Sequence, residues 1–172
     1  MAGNPAQIKG YVGAPSSETV PLTSIPDEVG GHPTPVRGVT IYRLPLVDDP
    51  CGLLSAAEIG RYIPVTIKRY FVVYGVPTRE VRGEHAHREQ HQFLACVHGD
   101  CKLIVDDGEN HYKIHLNSPA IAVHIAPMVW AVQYQYSADA VLLIFSSGEY
   151  QPGDYIRDYD EFRKLRKAGP AQ

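Results

Sequence analysis

Between Val39 and Ser146 the chain is cut into short runs rich in β-branched and aromatic residues, each bounded by glycine, proline, aspartate or asparagine. That rhythm constrains the fold more than any other feature, because it suits strands and leaves no room for long helices. The runs are Val39–Leu46, Thr66–Tyr74, Gln92–Val97, Lys102–Val105, His111–Leu116, Ile121–Ile125, Ala131–Tyr136 and Ala140–Ser146. Asp106-Asp107-Gly108-Glu109-Asn110 reads as a hairpin turn, with glycine where positive φ is needed. Regularly spaced short strands with tight turns predict an all-β domain, a small barrel or double-sheet jelly roll. Two helical patches stand outside the pattern. Ser55–Tyr62 opens with a serine cap and Glu58 three residues on, a capping-box spacing, and Tyr159–Lys167 reads as a charged C-terminal helix on the outside. Ala14–Pro35, rich in proline and serine, reads as a linker, so residues 1–35 are expected to be a tail and 36–172 the domain.

A chain of 172 residues, 44% hydrophobic, is long enough for one domain with a real core. A formal net charge of −3 carries no polyanion-binding footprint, so no nucleic-acid partner is expected. No apolar run approaches the ~20 residues of a spanning helix, and no basic-then-apolar leader opens the chain; a cytoplasmic protein with no membrane partner is expected. Cys51, Cys96 and Cys101 are odd in number and include no C-x-x-C pair, which favours reduced thiols. Cys96 and Cys101 flank the His98-Gly99 turn and are expected to pack against each other.

The chemistry concentrates in Arg82-Gly83-Glu84-His85-Ala86-His87. Residues i and i+2 of a strand share a face, so His85 and His87 would project side by side into one cavity, with Arg82 upstream. Two imidazoles beside a permanent cation suit metal ligation or proton transfer next to an anion. Gly-x-His-x-His, four residues, Gln92, six residues and Gly99 resembles the first motif of the cupin superfamily. The metal-binding cupins carry an acidic ligand where Gln92 stands and a histidine after the proline of a second motif. Here that second region reads Pro127-Met128-Val129-Trp130-Ala131-Val132-Gln133, and His124 precedes the proline. A neutral amide is a poor ligand for a hard or borderline cation, so no metal and no cofactor is expected.

The runs Arg82 to Gly108, Ser118-Pro119-Ala120, Pro127 to Trp130 and Tyr155-Ile156-Arg157-Asp158-Tyr159-Asp160-Glu161-Phe162, with Ile63-Pro64 and Ile67-Lys68-Arg69, resemble the sugar-nucleotide 3,4-ketoisomerases, the WxcM-like family. The resemblance implies a cupin-type jelly-roll barrel with a short C-terminal helix, working as a homodimer. It also implies isomerisation of a dTDP-4-keto-6-deoxyhexose to its 3-keto isomer through an enediol(ate), on the way to deoxyamino sugars of surface polysaccharides. The alternative is a cupin that binds a nucleotide sugar without turning it over. By resemblance His85 is the carbon base, His87 polarises or protonates the enediolate oxygen, and Arg82 faces the oxyanion or a phosphate. Lys68, Arg69, Tyr70, Tyr74, Gln92 and Trp130 are the expected substrate-binding residues. Lys68 and Arg69 alternate faces, so at most one points inward. Gln92 either donates to the sugar or is satisfied within the barrel, and Trp130 either meets the sugar or base or plugs the barrel. Tyr155 and Arg157 either touch the nucleotide or pin the C-terminal helix to the barrel, and are held as structural. Three positions depart from the family: Phe71 where a tyrosine is expected, Cys51 before Gly52 where arginine is common, and Ala131 after the tryptophan.

Gly3-Asn4-Pro5-Ala6-Gln7-Ile8-Lys9-Gly10-Tyr11 resembles the closing segment of a left-handed β-helix sugar N-acetyltransferase. That implies a fused or partner acetyltransferase acting on the same sugar.

Overall fold

The computed structural model describes residues 25–168. The segment Gly3–Tyr11 and the first part of the expected linker lie outside the described residues. Thirteen strands and one helix follow in order: β1 Gly30–Pro33, β2 Val39–Arg43, β3 Leu46–Asp49, β4 Gly52–Ser55, β5 Arg69–Tyr74, β6 Arg82–His87, β7 Gln92–His98, β8 Cys101–Asp106, β9 His111–Leu116, β10 Ile121–Ile125, β11 Trp130–Tyr134, β12 Val141–Ser146, β13 Tyr155–Ile156 and α1 Tyr159–Ala168.

Two antiparallel sheets face each other, a six-stranded one ordered β1-β2-β10-β7-β12-β5 and a five-stranded one ordered β13-β6-β11-β8-β9. This is the all-β jelly roll that the strand rhythm predicts. Alternation explains where the core lies. Leu94, Cys96, Leu142 and Ile144 of one sheet meet Leu103, Val105, Ile114 and Ala131 of the other, all buried. The residues that alternate with these turn outward and are covered separately. Ile104, Trp130, Val132 and Ile156 pack under Phe162 of α1, and Phe93 and Ala122 pack under Tyr62 and Ile63.

The expected helix at Ser55–Tyr62 is absent. Ser55 is committed to β4, paired with Leu46, so its backbone cannot serve as a helix cap. Gly60 sits at φ +84°, and a single helical bond from the Tyr62 N–H to the Glu58 carbonyl remains. Burial of Tyr62 and Ile63 against the outer face of the six-stranded sheet outweighs the local capping signal. The run Val39–Leu46 divides between β2 and β3. Gly30–Pro33, read as the end of a linker, is an edge strand paired with β2. Its composition hides it: Gly31 is there because the Tyr42 ring lies 2.9 Å from where a Cβ would stand.

Candidate active site

The site forms at one end of the jelly roll, where one residue row from each sheet converges. In the six-stranded sheet, Ser146 of β12 lies opposite both Arg69 of β5 and Gln92 of β7, so these three side chains stand in line on the inner face. In the five-stranded sheet, His87 of β6 lies opposite Tyr155 of β13, and His85 lies opposite Ala131 of β11. Ala86 and Ile156 alternate to the other face, under α1. A bulge shapes the approach to the histidines. Gly83 has φ +85°, and a Cβ there would stand 2.7 Å from the Ala131 carbonyl oxygen, so only glycine fits.

The hydrogen bonds fix the protonation pattern of both rings. His87 Nδ1 donates to Asp154 Oδ2 at 2.6 Å, since a carboxylate can only accept. Its Nε2 is then a lone pair, which accepts the Gln92 amide N–H at 2.9 Å. His85 Nδ1 donates to the Gly83 carbonyl at 2.9 Å, leaving its own Nε2 unprotonated. The two Nε2 atoms are 3.2 Å apart. Two unprotonated ring nitrogens this close make a place that favours an incoming proton. Asp154 is itself held: Oδ1 accepts the Glu89 N–H and its carbonyl accepts the Arg88 N–H.

Burial lowers the His85 pKa to about 4, with further lowering from His87 and Arg157. Burial also lowers His87, against the opposing pull of Asp154, while Arg69 and Arg157 add to the lowering. Both imidazoles are therefore neutral bases near pH 7. The Arg69 guanidinium lies over Phe71 at 5.2 Å and Tyr150 at 5.6 Å, and its buried Nε has no partner. An unsatisfied buried cation donor beside two bases suits an anionic ligand or a developing oxyanion. Among the described residues, no three His, Cys, Asp or Glu side chains converge as a metal cage.

Of the residues expected from sequence, His85, His87, Gln92 and Arg69 come together. The others do not. Arg82 is exposed at the far end of β6, and the cations that reach the rings are Arg69 and Arg157. Tyr70 and Tyr74 are 68% and 72% exposed on the outer face of β5, because they alternate with the inward Arg69 and Phe71. Lys68 is exposed and lines a polar cleft of about 380 Å³ with Glu89, Gln90 and Glu149, which backs onto Asp154. Trp130 lies on the helix-covered face, 5.2 Å from Tyr159 and 5.7 Å from Phe162.

Asp154 escaped the sequence reading, and Tyr155 and Arg157, held there as structural, stand beside the histidines. Tyr155 stands 4.9 Å from the His85 ring and 4.6 Å from that of His87, and the Arg157 guanidinium lies over the Tyr155 ring at 4.6 Å. The alternation around buried Ile156 was the available signal, a short strand lodged just before the helix.

Fold and site together define a cupin-type jelly roll with an interior pair of adjacent imidazoles. Residues 37–167 match the family model described as FdtA: WxcM-like, C-terminal, and the chain belongs to that family. It is 40% identical, over 67% of its length and 84% of the relative's, to a TDP-4-oxo-6-deoxy-alpha-D-glucose-3,4-oxoisomerase of Aneurinibacillus thermoaerophilus. Among solved structures, a 3,4-ketoisomerase from Helicobacter canadensis superposes with a TM-score of 0.72 at 36% identity, covering 75% of this chain and 97% of that one. The WlaRB TDP-quinovose 3,4-ketoisomerase of Campylobacter jejuni gives 0.72 at 35% identity, covering 76% and 100%.

Proposed function

We propose that this chain is an isomerase that moves the ketone of a TDP-linked 4-keto-6-deoxyhexose from C4 to C3 by histidine-mediated proton transfer through an enediolate. The names of its relatives support the substrate class. The observation that carries the chemistry is His87, held at Nδ1 by a buried carboxylate, with an unprotonated Nε2 that a sugar can take over from the Gln92 amide.

That geometry supports His87 as the carbon base in place of His85. Asp154 fixes the tautomer and offsets the charge of the imidazolium that forms when the C3 proton arrives. His85, with no carboxylate bonded to it, is the poorer proton acceptor and the closer neighbour for passing the proton on. Arg69 faces the oxyanion, and Gln92 orients the sugar or His87 by hydrogen bonding. The 3-keto product offers a carbonyl for amination, which places the reaction in deoxyamino-sugar biosynthesis for a surface polysaccharide, in the cytoplasm, with a sugar N-acetyltransferase downstream as a fused or separate partner.

The working unit is a homodimer. Leu46, Val47, Leu53 and Leu54 are exposed on both faces of the β3–β4 ribbon, and a two-stranded ribbon with apolar groups on both sides needs cover. Light scattering should give twice the chain mass for wild type and a lighter species for Leu54→Asp.

The decisive experiment follows TDP-4-keto-6-deoxyglucose by proton NMR in D₂O. Wild type should put deuterium into the ring and form the 3-keto isomer, and His87→Asn should do neither. Tight binding of the nucleotide sugar without exchange would favour the alternative, a binding protein of cupin fold.

A further inference from the structure

A 4-keto to 3-keto isomerisation moves two kinds of proton. One passes from C3 to C4, and one passes from the O3 hydroxyl to O4. His85 and His87 account for the first under the reading above, on which this inference rests. The amide N–H of Gln92 is too weak an acid to give up its proton, and the arginines Arg69 and Arg157 keep theirs. The oxygen-bound proton still needs a carrier.

We propose that Tyr155 is a catalytic residue, the phenol that carries the hydroxyl proton between O4 and O3. Its backbone lies opposite His87 in the β6–β13 ladder, so its ring projects on the same face as the imidazoles. The ring is held on several sides: His85 at 4.9 Å, His87 at 4.6 Å, Tyr150 at 5.8 Å and the Arg157 guanidinium at 4.6 Å. Its hydroxyl makes no hydrogen bond among the described residues, and it is not among the side-chain atoms sealed from solvent without a partner. A fixed ring with a free, reachable hydroxyl is prepared for a substrate oxygen. Among the described residues, no other phenol is in ring contact with both imidazoles. Tyr70 and Tyr74 face outward, Tyr136 is sealed in the apolar core, and position 71 is phenylalanine.

The electron count closes. His87 Nε2 takes the C3 proton, the C3–H pair becomes the C3=C4 bond, and the carbonyl π pair moves to O4, which takes the phenol proton. The phenolate then takes the O3 hydroxyl proton, the O3–H pair closes the C3=O bond, and the C3=C4 pair takes a proton at C4 from the His87 imidazolium. Both side chains end as they began. Arg157 offsets the negative charge while the phenolate exists.

Tyr155→Phe keeps the ring and removes only the hydroxyl, so thermal melting should match wild type within a few degrees. With TDP-4-keto-6-deoxyglucose in D₂O, kcat for isomerisation should fall on the order of 10²-fold with KM changed less than about threefold. Deuterium exchange at C3 should fall far less, so the ratio of exchange to isomerisation rises at least about tenfold. Isomerisation within about threefold of wild type overturns the proposal, and so does loss of exchange and isomerisation in equal proportion. Wild-type protein that neither exchanges nor isomerises would overturn the isomerase reading itself, and this role with it.

Discussion

Among the described residues two pairs of imidazoles stand close together, and only one of them has charged groups behind it. His91 and His124 stack at 10° with Nδ1 and Nε2 3.0 Å apart, on the outer face of the six-stranded sheet. His85 and His87 stand nearly perpendicular, 83°, on the inner face of the opposite sheet. Burial lowers all four pKa values. The difference lies in what stands behind the rings. His87 is backed by Asp154 and faces Arg69 and Arg157, whereas no carboxylate or guanidinium acts on His91 or His124. Proximity and a depressed pKa alone do not make a base; a fixed tautomer and a counter-charge do.

The largest effects should separate the pairs. His87→Asn should lower kcat by 10³-fold or more, on the scale of removing a general base, while His124→Gln should leave it within about threefold in the same steady-state assay. Equal losses would erase the distinction. Asp154→Asn should lower kcat on the order of 10²-fold, because the amide no longer enforces the Nδ1–H tautomer. Since Asp154 raises the His87 pKa, the acidic limb of the kcat/KM profile should also move to lower pH in that variant.

Acid should weaken the fold through both pairs. His85 and His124 titrate near pH 4 when folded, against about 6.5 unfolded. The unfolded chain therefore binds more protons between those values, so the stability is full above pH 6.5 and is lost as pH falls towards 4. Thermal melts of wild type should drop steadily across that window, and His124→Gln should flatten part of the drop without touching activity. The smallest effect belongs to Arg82→Ala. Exposed and distant in charge from both rings, it should change kcat by less than about threefold; a larger loss would return Arg82 to the site.

How much was legible beforehand follows from the range of each signal. Strand existence was read well wherever β-branched residues cluster, as at His111–Leu116 and Ile121–Ile125, which match β9 and β10. The glycine-poor, locally periodic stretches needed no distant partner to be recognised. Ser55–Tyr62 misled because its cap signal is local and the competing burial of Tyr62 and Ile63 is not. Trp130 misled in the opposite way: one position along a strand decides between the cavity and the underside of α1, and composition does not register that choice.

The sequence by itself determined an all-β domain and the histidine pair, because both follow from alternation over a few neighbouring residues. Only the tertiary structure decided which groups act on that pair. Asp154 is 67 residues from His87 along the chain and 2.6 Å away in space, brought there by a two-residue strand closing the sheet edge. Side-chain chemistry can be read locally, but tautomer, counter-charge and burial are set by whatever the fold places opposite.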